Sequence, residues 1–534
     1  MRSNTPIFLF ITIIIGIYIL WPLNDFQSIL AQGDHGRDLY AFQQTIKGKR
    51  PYQNYWWVYG PLMPYYYGIF FKLLSPTIKS ILIAKNILIL ISCIFFYLSL
   101  SYITSKPIST IGTIWYLNFL TYTCTYNHYG GTAILLAITY SLLTYIHTNR
   151  KIYLHIITII LIFLLFLVKI NFGFVALICS FFIFLLTDKF IFHKKTNKLI
   201  ILLYLCIPFI VLCTYYLLLR GLPLYYIRQC MPYLPADHPY HASLTLSFLN
   251  LYNHIKNHIT ASITDIFLSI LVICSTITSI NILFNKKNKS YPYYKKEKIL
   301  LTIITFLLFY ICCLHEFLLS GVYYRLFWSI PFKYLLMFSM IGIMISCVSP
   351  ILRLSLYIAF IILLYIPIHN RNIAIKKLKI PQQKICLKRA EIYVGNSHRW
   401  IDTVTKTTRY LQSILKSKET FFALPYEPLY YFLTDKYSPT REIIFFEHIK
   451  IPIQQEKKII KQLERNKINF ILISNRINST EPGLGTFGKT YCPLLARYIQ
   501  ENFHTIAEFG DWQNPPGWAW NHGVRILKRN NKLY

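Results

Sequence analysis

Long apolar runs alternate with short basic loops up to about residue 368, and the pattern then changes character. A helix needs about 20 apolar residues to cross a hydrocarbon layer. Runs at roughly 7–23, 80–103, 108–126, 131–148, 152–169, 172–187, 199–219, 263–284, 299–318, 326–347 and 351–368 predict eleven spans, with 62–76 ambiguous. The first run reads as an uncleaved anchor, because Ser28-Ile29-Leu30-Ala31 lacks a small-x-small cleavage pattern. Two further stretches have helical spacing of apolar positions: Leu39, Phe42 and Ile46, and Leu244, Phe248, Leu251, Tyr252, Ile255 and Ile259. Both predict amphipathic helices, lying on a membrane surface or packed on other helices. From 369 onward, strand-like Phe421–Leu424, Phe470–Ser474 and Val524–Leu527 alternate with helical 403–417, 454–466 and 490–502, which predicts a small α/β domain. The expected architecture is therefore mainly α, a polytopic transmembrane bundle (1–368) followed by a soluble domain (369–534).

Charge orients the bundle. With the N-terminus in the cytoplasm, the inner loops hold Lys106, Arg150, Lys151, Lys189, Lys194, Lys195, Lys198, Lys286, Lys287, Lys289, Lys295, Lys296 and Lys298. The outer side then receives the long segments 24–79 and 220–262, turns near 127–130 and 319–325, and the C-terminal domain. An even number of spans would reverse the placement of that domain.

Composition sharpens this division. Of the 21 carboxylates in 534 residues, only Asp25, Asp34, Asp38, Asp188, Asp237, Asp265, Glu297 and Glu316 precede residue 369. A single soluble enzyme, a disordered chain and a fibrous repeat are excluded. The net charge of +34 does not indicate nucleic acid, because much of it sits between apolar runs and the tail has no basic block. Nine of the 12 cysteines lie in or beside apolar runs, the exceptions being Cys230, Cys386 and Cys492, and no CxxC occurs. That usage fits small buried hydrophobes and neither a metal–thiolate site nor a disulfide framework.

The first outer segment carries the most specific pattern. It reads Gly33-Asp34-His35-Gly36-Arg37-Asp38-Leu39-Tyr40, then Gly48-Lys49-Arg50-Pro51-Tyr52, then Tyr55-Trp56-Trp57-Val58-Tyr59-Gly60-Pro61-Leu62. An Asp after the first span, an amphipathic helix, a Gly-x-x-Pro-Tyr turn and Gly-Pro-Leu occur in that order. This resembles the first outer loop of GT-C superfamily glycosyltransferases, in the bacterial branch of aminoarabinose and mannosyl transferases. The resemblance implies an integral membrane glycosyltransferase moving a sugar from a polyprenyl-phosphate donor to an envelope glycan, glycolipid or protein. It places the chain in the cytoplasmic membrane with the C-terminal domain outside, and implies Asp34 as the general base. A hydroxyl is a poor nucleophile until a base takes its proton. The plain alternative for Asp34 is an N-cap. Asp38, one turn on, departs from the family pattern and could contact acceptor, help hold a metal, or pair with Arg37 or Lys49.

Other ionisable groups sit at predicted outer ends, where burial is costly and functional weight is high. Arg325 in Tyr323-Tyr324-Arg325 is a donor-phosphate candidate, as an Arg can clamp phosphate with two hydrogen bonds. Its alternative is a snorkelling side chain. Lys169 is a second phosphate candidate. His315, Glu316 and Asp237, with His128, His238 and His241, are possible acceptor or metal contacts, and a divalent metal is allowed but not required by spacing. Tyr52 and Trp56 could stack on a sugar or, with Trp57 and Tyr59, form an interfacial belt. Gly483 to Thr490 matches the phosphate-loop pattern, but the preceding apolar run ends nine residues early, so a Gly-rich turn is expected. The rival functions are a transporter or lipid flippase and a non-catalytic envelope assembly protein. Carboxylates that avoid span centres, and the lack of an internal repeat, weigh against the transporter.

Overall fold

The computed structural model describes residues 5–27, 30, 33–120, 126–148, 152–194, 197–230, 249, 252, 293–320, 323–346, 348–395, 398–478, 484–513 and 523–530. Its helices before residue 369 are α1 Thr5–Leu20, α2 Asp34–Ile46, α3 Leu62–Leu74, α4 Ile78–Leu100, α5 Lys106–Leu120, α6 Tyr126–His147, α7 Tyr153–Phe166, α8 Ile170–Phe190, α9 Lys198–Leu219, α10 Leu224–Cys230, α11 Tyr293–Cys313, α12 His315–Ser320, α13 Ile330–Ser346 and α14 Pro350–Leu378. Ten of the eleven predicted runs coincide with helices, while 263–284 and nearly all of 244–259 lie outside the described residues. Among the described residues six helices are long and apolar enough to cross a membrane: Pro6–Asp25, Ile78–Leu100, Tyr126–His147, Ile170–Phe190, Lys198–Leu219 and Lys296–Leu318. Eleven crossings therefore stays an expectation.

By contacts the chain divides into two compact units, one of Met1–Trp21, Lys85–Thr214 and Tyr240–Ile373, the other of Pro22–Ala84, Tyr215–Pro239 and Ala374–Tyr534. This division differs from a single cut at 368, because the first outer segment belongs with the C-terminal part. In the first unit apolar helices pack through aromatic layers, such as Phe96 on Tyr116 at 4.5 Å and Phe309 on Phe332 at 5.0 Å. Helix α6 starts at Tyr126, so the turn expected at 127–130 is instead the first helical turn. The reason is packing: a side chain at Gly131 would collide with the Trp328 ring, so glycine here permits close approach and not a bend.

The second unit holds the remaining elements. These are β1 Phe26–Gln27, β2 Lys384–Leu387, β3 Ala390–Val394, α15 His398–Ile414, β4 Phe421–Leu424, α16 Pro428–Thr434, α17 Ile453–Arg465, β5 Phe470–Ser474, α18 Pro493–Asn502, β6 Phe503–Gly510 and β7 Gly523–Arg529. One sheet has the order β1-β3-β2, the other β4-β5-β7-β6. Strands β4 and β5 pair in parallel and every residue of both is buried, which explains their unbroken apolar sequences. The Gly-rich stretch is no phosphate loop. Strand β5 runs into a 3₁₀ turn at Asn475–Ile477, Gly485 and Gly488 occupy left-handed turn positions, and α18 begins only at Pro493.

Helix α2 is buried along His35–Thr45, with Leu39 and Phe42 fully enclosed and only Ile46 of the predicted stripe exposed. It packs on α3 and α16, so the packed reading holds for this helix. Phe42 stacks on Tyr67 of α3 at 4.7 Å. A side chain at Gly36 would lie 2.5 Å from the backbone nitrogen of Leu429, so the glycine lets α16 approach. Helix α3 resolves the ambiguous stretch. Met63, Tyr67 and Phe71 face inward, while Tyr65, Ile69 and Leu73 form an exposed apolar stripe.

Candidate active site

The chemistry-bearing residues fall into two groups, one in each unit. The first is built on the opening turn of α2. Gly33 is the N-cap and no side chain caps the helix, so Asp34 is the first helical residue and not the cap. A carboxylate there benefits from the helix dipole. Arg37 is held between two acids. Its Nε and Nη2 donate to Asp38 Oδ1 at 2.9 and 2.7 Å, and its Nη1 donates to Asp34 Oδ1 at 3.3 Å. The guanidinium also lies 5.7 Å from the Trp57 ring centroid and 5.1 Å from that of Tyr59. Burial works against its charge, but Asp38 first, then Tyr426, Asp34 and Tyr59, more than restore it, so Arg37 holds its proton more firmly than in water.

Exposure separates the two acids. The Asp38 side chain is 0% exposed and the Asp34 side chain 28%. Asp38 is committed to Arg37, whereas Asp34 remains reachable. A third group comes from the C-terminal region: the Tyr426 hydroxyl donates to Asp34 Oδ1 at 3.1 Å. Burial first, and then the nearby carboxylates, push this phenol well above its usual range against the opposing pull of Arg37, so it stays a donor.

The second group joins residues that sequence reasoning had assigned to different tasks. Lys169 Nζ lies 2.7 Å from Glu316 Oε1, with both side chains almost fully buried. Asn171 Nδ2 lies 2.8 Å from the same oxygen and 2.6 Å from His315 Nε2, while His315 Nδ1 lies 2.8 Å from the Cys312 carbonyl. Lys169, a donor-phosphate candidate, is thus an ion-pair partner of Glu316. Its Nζ also sits 5.5 Å from the Trp328 ring centroid. Arg325, half-buried, lies on the short 3₁₀ turn Tyr323–Trp328 that carries this tryptophan.

Tyr52 and Trp56 are buried, so neither presents an open ring face to sugar or lipid. Tyr52 donates its hydroxyl to the Tyr59 carbonyl, and the Trp56 amide donates to the Arg441 carbonyl at 3.1 Å. His128 lies in α6 against Phe327 and Trp328. Asp237, His238 and His241 lie outside the described residues. Two groups escaped the sequence reading. Tyr426 follows the predicted strand Phe421–Leu424 and belongs to no motif. Lys85 sits inside an apolar run, is buried, faces the Tyr129 ring at 5.7 Å, and has no carboxylate partner among the described residues.

A divalent cation does not fit between the α2 carboxylates, because the Arg37 guanidinium already bridges them. Among the described residues no three of His, Cys, Asp and Glu are placed to hold a metal. No step below passes through one.

Apolar helices of spanning length and a mixed four-stranded sheet make up the fold. Solved structures share it. Over 100% of this chain and 99% of the other, the fold matches ArnT from Cupriavidus metallidurans bound to undecaprenyl phosphate, with a TM-score of 0.57 at 8% identity. The apo form of that protein matches at 0.55 and 8%, over 97% of each chain. The Archaeoglobus fulgidus oligosaccharyltransferase in complex with Zn and sulfate matches at 0.52 and 11%, over 98% of this chain and 88% of that one. No protein-family model and no curated protein matches the sequence.

Proposed function

We propose that the protein is a GT-C-type glycosyltransferase that moves a sugar from a polyprenyl-phosphate donor to an envelope acceptor at the outer face of the cytoplasmic membrane. The observation that carries this reading is the unequal pair on α2: Asp38 is enclosed against Arg37, and the Asp34 side chain stays 28% exposed. The fold likeness to ArnT, solved with undecaprenyl phosphate, supports the donor class.

In this reading an acceptor hydroxyl passes its proton to Asp34 as its oxygen bonds to the anomeric carbon. The bond from that carbon to the phosphate oxygen breaks, and the electron pair leaves with polyprenyl phosphate. Arg37 stays charged throughout, and its two hydrogen bonds to Asp38 fix it beside the base. Arg325 and Lys169 are the candidates for binding the donor phosphate. The C-terminal domain contributes to acceptor recognition.

The test uses purified protein in lipid with a panel of polyprenyl-phosphate sugars and an envelope extract. Release of free polyprenyl phosphate by wild type, lost in Asp34→Asn, supports the reading. Equal release by both removes Asp34 as the base. If no donor is cleaved while the mutant remains folded, transport or assembly becomes the leading reading.

A further inference from the structure

The contact between Asp34 and Tyr426 joins residues 392 positions apart, and its surroundings are built with unusual closeness. Tyr426 follows β4 and precedes α16. Its backbone carbonyl accepts from Arg476 Nη1 at 3.1 Å, and the same nitrogen donates to Glu427 Oε1 at 3.3 Å. Ser474 Oγ, at the end of β5, donates to that oxygen at 2.7 Å. Arg476 and Glu427 are both fully buried. The Arg476 guanidinium lies 5.7 Å from the Tyr426 ring centroid and 5.3 Å from that of Phe446, whose ring meets Tyr426 edge-on at 6.2 Å.

The ring also abuts the turn carrying Asp34. A side chain at Gly33 would collide with the Tyr426 ring, and one at Gly36 would strike the Leu429 backbone. The glycines on either side of Asp34 therefore let this segment reach the start of α2. The sheet, the buried Arg476–Glu427 pair and the two glycines together aim one hydroxyl at one carboxylate oxygen. Tyr426 and Arg37 both donate to Oδ1, and donors to a carboxylate favour its charged form and fix its orientation.

We infer that Tyr426 is a positioning residue for the base, supplied by the C-terminal region, which fixes the orientation of the Asp34 carboxylate and holds it in its charged form. This rests on the proposed role of Asp34 and assigns the C-terminal region a part in the chemistry itself. The groups that donate to Asp34 include Arg37 and Tyr426, with Asp38 and Tyr59 around Arg37 and with Arg476 and Glu427 behind Tyr426.

The test does not need the donor to be known. Infrared difference spectra of full-length protein in detergent, with Asp34→Asn as the blank, follow protonation of the Asp34 carboxyl against pH. Loss of a donor to the charged form raises the midpoint, so Tyr426→Phe should titrate at higher pH than wild type, with an altered carboxylate stretch. Site-specific 3-fluorotyrosine at 426, a stronger donor, should move the midpoint the other way and serves if the Phe variant does not fold. Superimposable titrations of wild type and either variant would overturn the inference. Donor cleavage is scored separately. Once a cleaved donor is found, Tyr426→Phe should lower turnover about tenfold and move its acidic limb upward, with little change in KM. If titration shifts while Asp34→Asn still cleaves donor, the contact stands and the role of Asp34 as the base falls.

Discussion

The two buried ionic groups of this protein use similar residues to different ends. Around Arg37, two carboxylates share one guanidinium, a surplus of acid over base within that contact, and one of the two acids is 28% exposed. Around Lys169, one ammonium meets one carboxylate at 2.7 Å, and Asn171 adds a hydrogen bond to the carboxylate. The first group has an acid within reach of solvent. The second is almost fully buried. A buried ion pair is weak evidence for function, because its mutual attraction offsets its desolvation. A reachable acid held beside a fixed partner is a stronger candidate.

The largest expected effect follows from the surplus. Asp34→Asn should lower donor cleavage by about a hundredfold to ten-thousandfold while leaving the unfolding temperature close to wild type. An active, equally stable variant would erase the distinction between the groups. Next comes the partner that is not reachable. Asp38→Leu leaves Arg37 with less compensation in a buried site and should cost about 3–5 kcal/mol in denaturant unfolding, more than any substitution of Asp34. A loss no greater than that of Asp34→Asn would show that the sealed acid is dispensable.

The Lys169 group should respond as a pair. Glu316→Leu strands a buried ammonium and should cost about 3–5 kcal/mol, whereas adding Lys169→Met should recover most of it. Recovery of stability without recovery of donor cleavage would assign Lys169 a role beyond its ion pair. The smallest effect is expected at Asp435, half-exposed, which accepts from Gln43 Nε2 at 2.6 Å and pairs with Lys47 and Arg389, each at 2.8 Å. Burial alone would raise its carboxyl, but the Lys47 hydrogen bond, then Arg389, bring it below the usual range. Its folded value lies under its unfolded one. Its contribution is therefore present above the unfolded value, about 3.9, and is lost as pH falls through the folded value. Asp435→Asn should cost less than about 1 kcal/mol at neutral pH and nothing in strong acid.

The apolar helices were legible because one rule, the length of an apolar run, marks them. Three of the strands in the C-terminal region were legible for a related reason: β4 and β5 are buried on both faces and read as unbroken apolar segments. Strand β6 was not, because most of its residues are exposed or half-buried and its sequence carries little apolar signal. On α2, Asp34 was legible as a candidate through its place in a local pattern. Its exposure relative to Asp38 was not, since spacing along a helix says nothing about which acid an arginine will choose. Lys169 with Glu316, and Asp34 with Tyr426, are pairings across 147 and 392 positions, beyond any local rule. Lys85 was passed over because a single lysine within a long apolar run scarcely changes its hydropathy.

The distance along the chain between Asp34 and Tyr426 also has a meaning in time. A ribosome makes the residues in order, so the opening turn of α2 is finished long before β4 and its following tyrosine emerge. During that interval the acid has Arg37 beside it but not the hydroxyl that completes its setting. A chain still in synthesis would therefore carry Asp34 without this partner after its first helices are made. Maturation of the site would coincide with docking of the segment that is translated late.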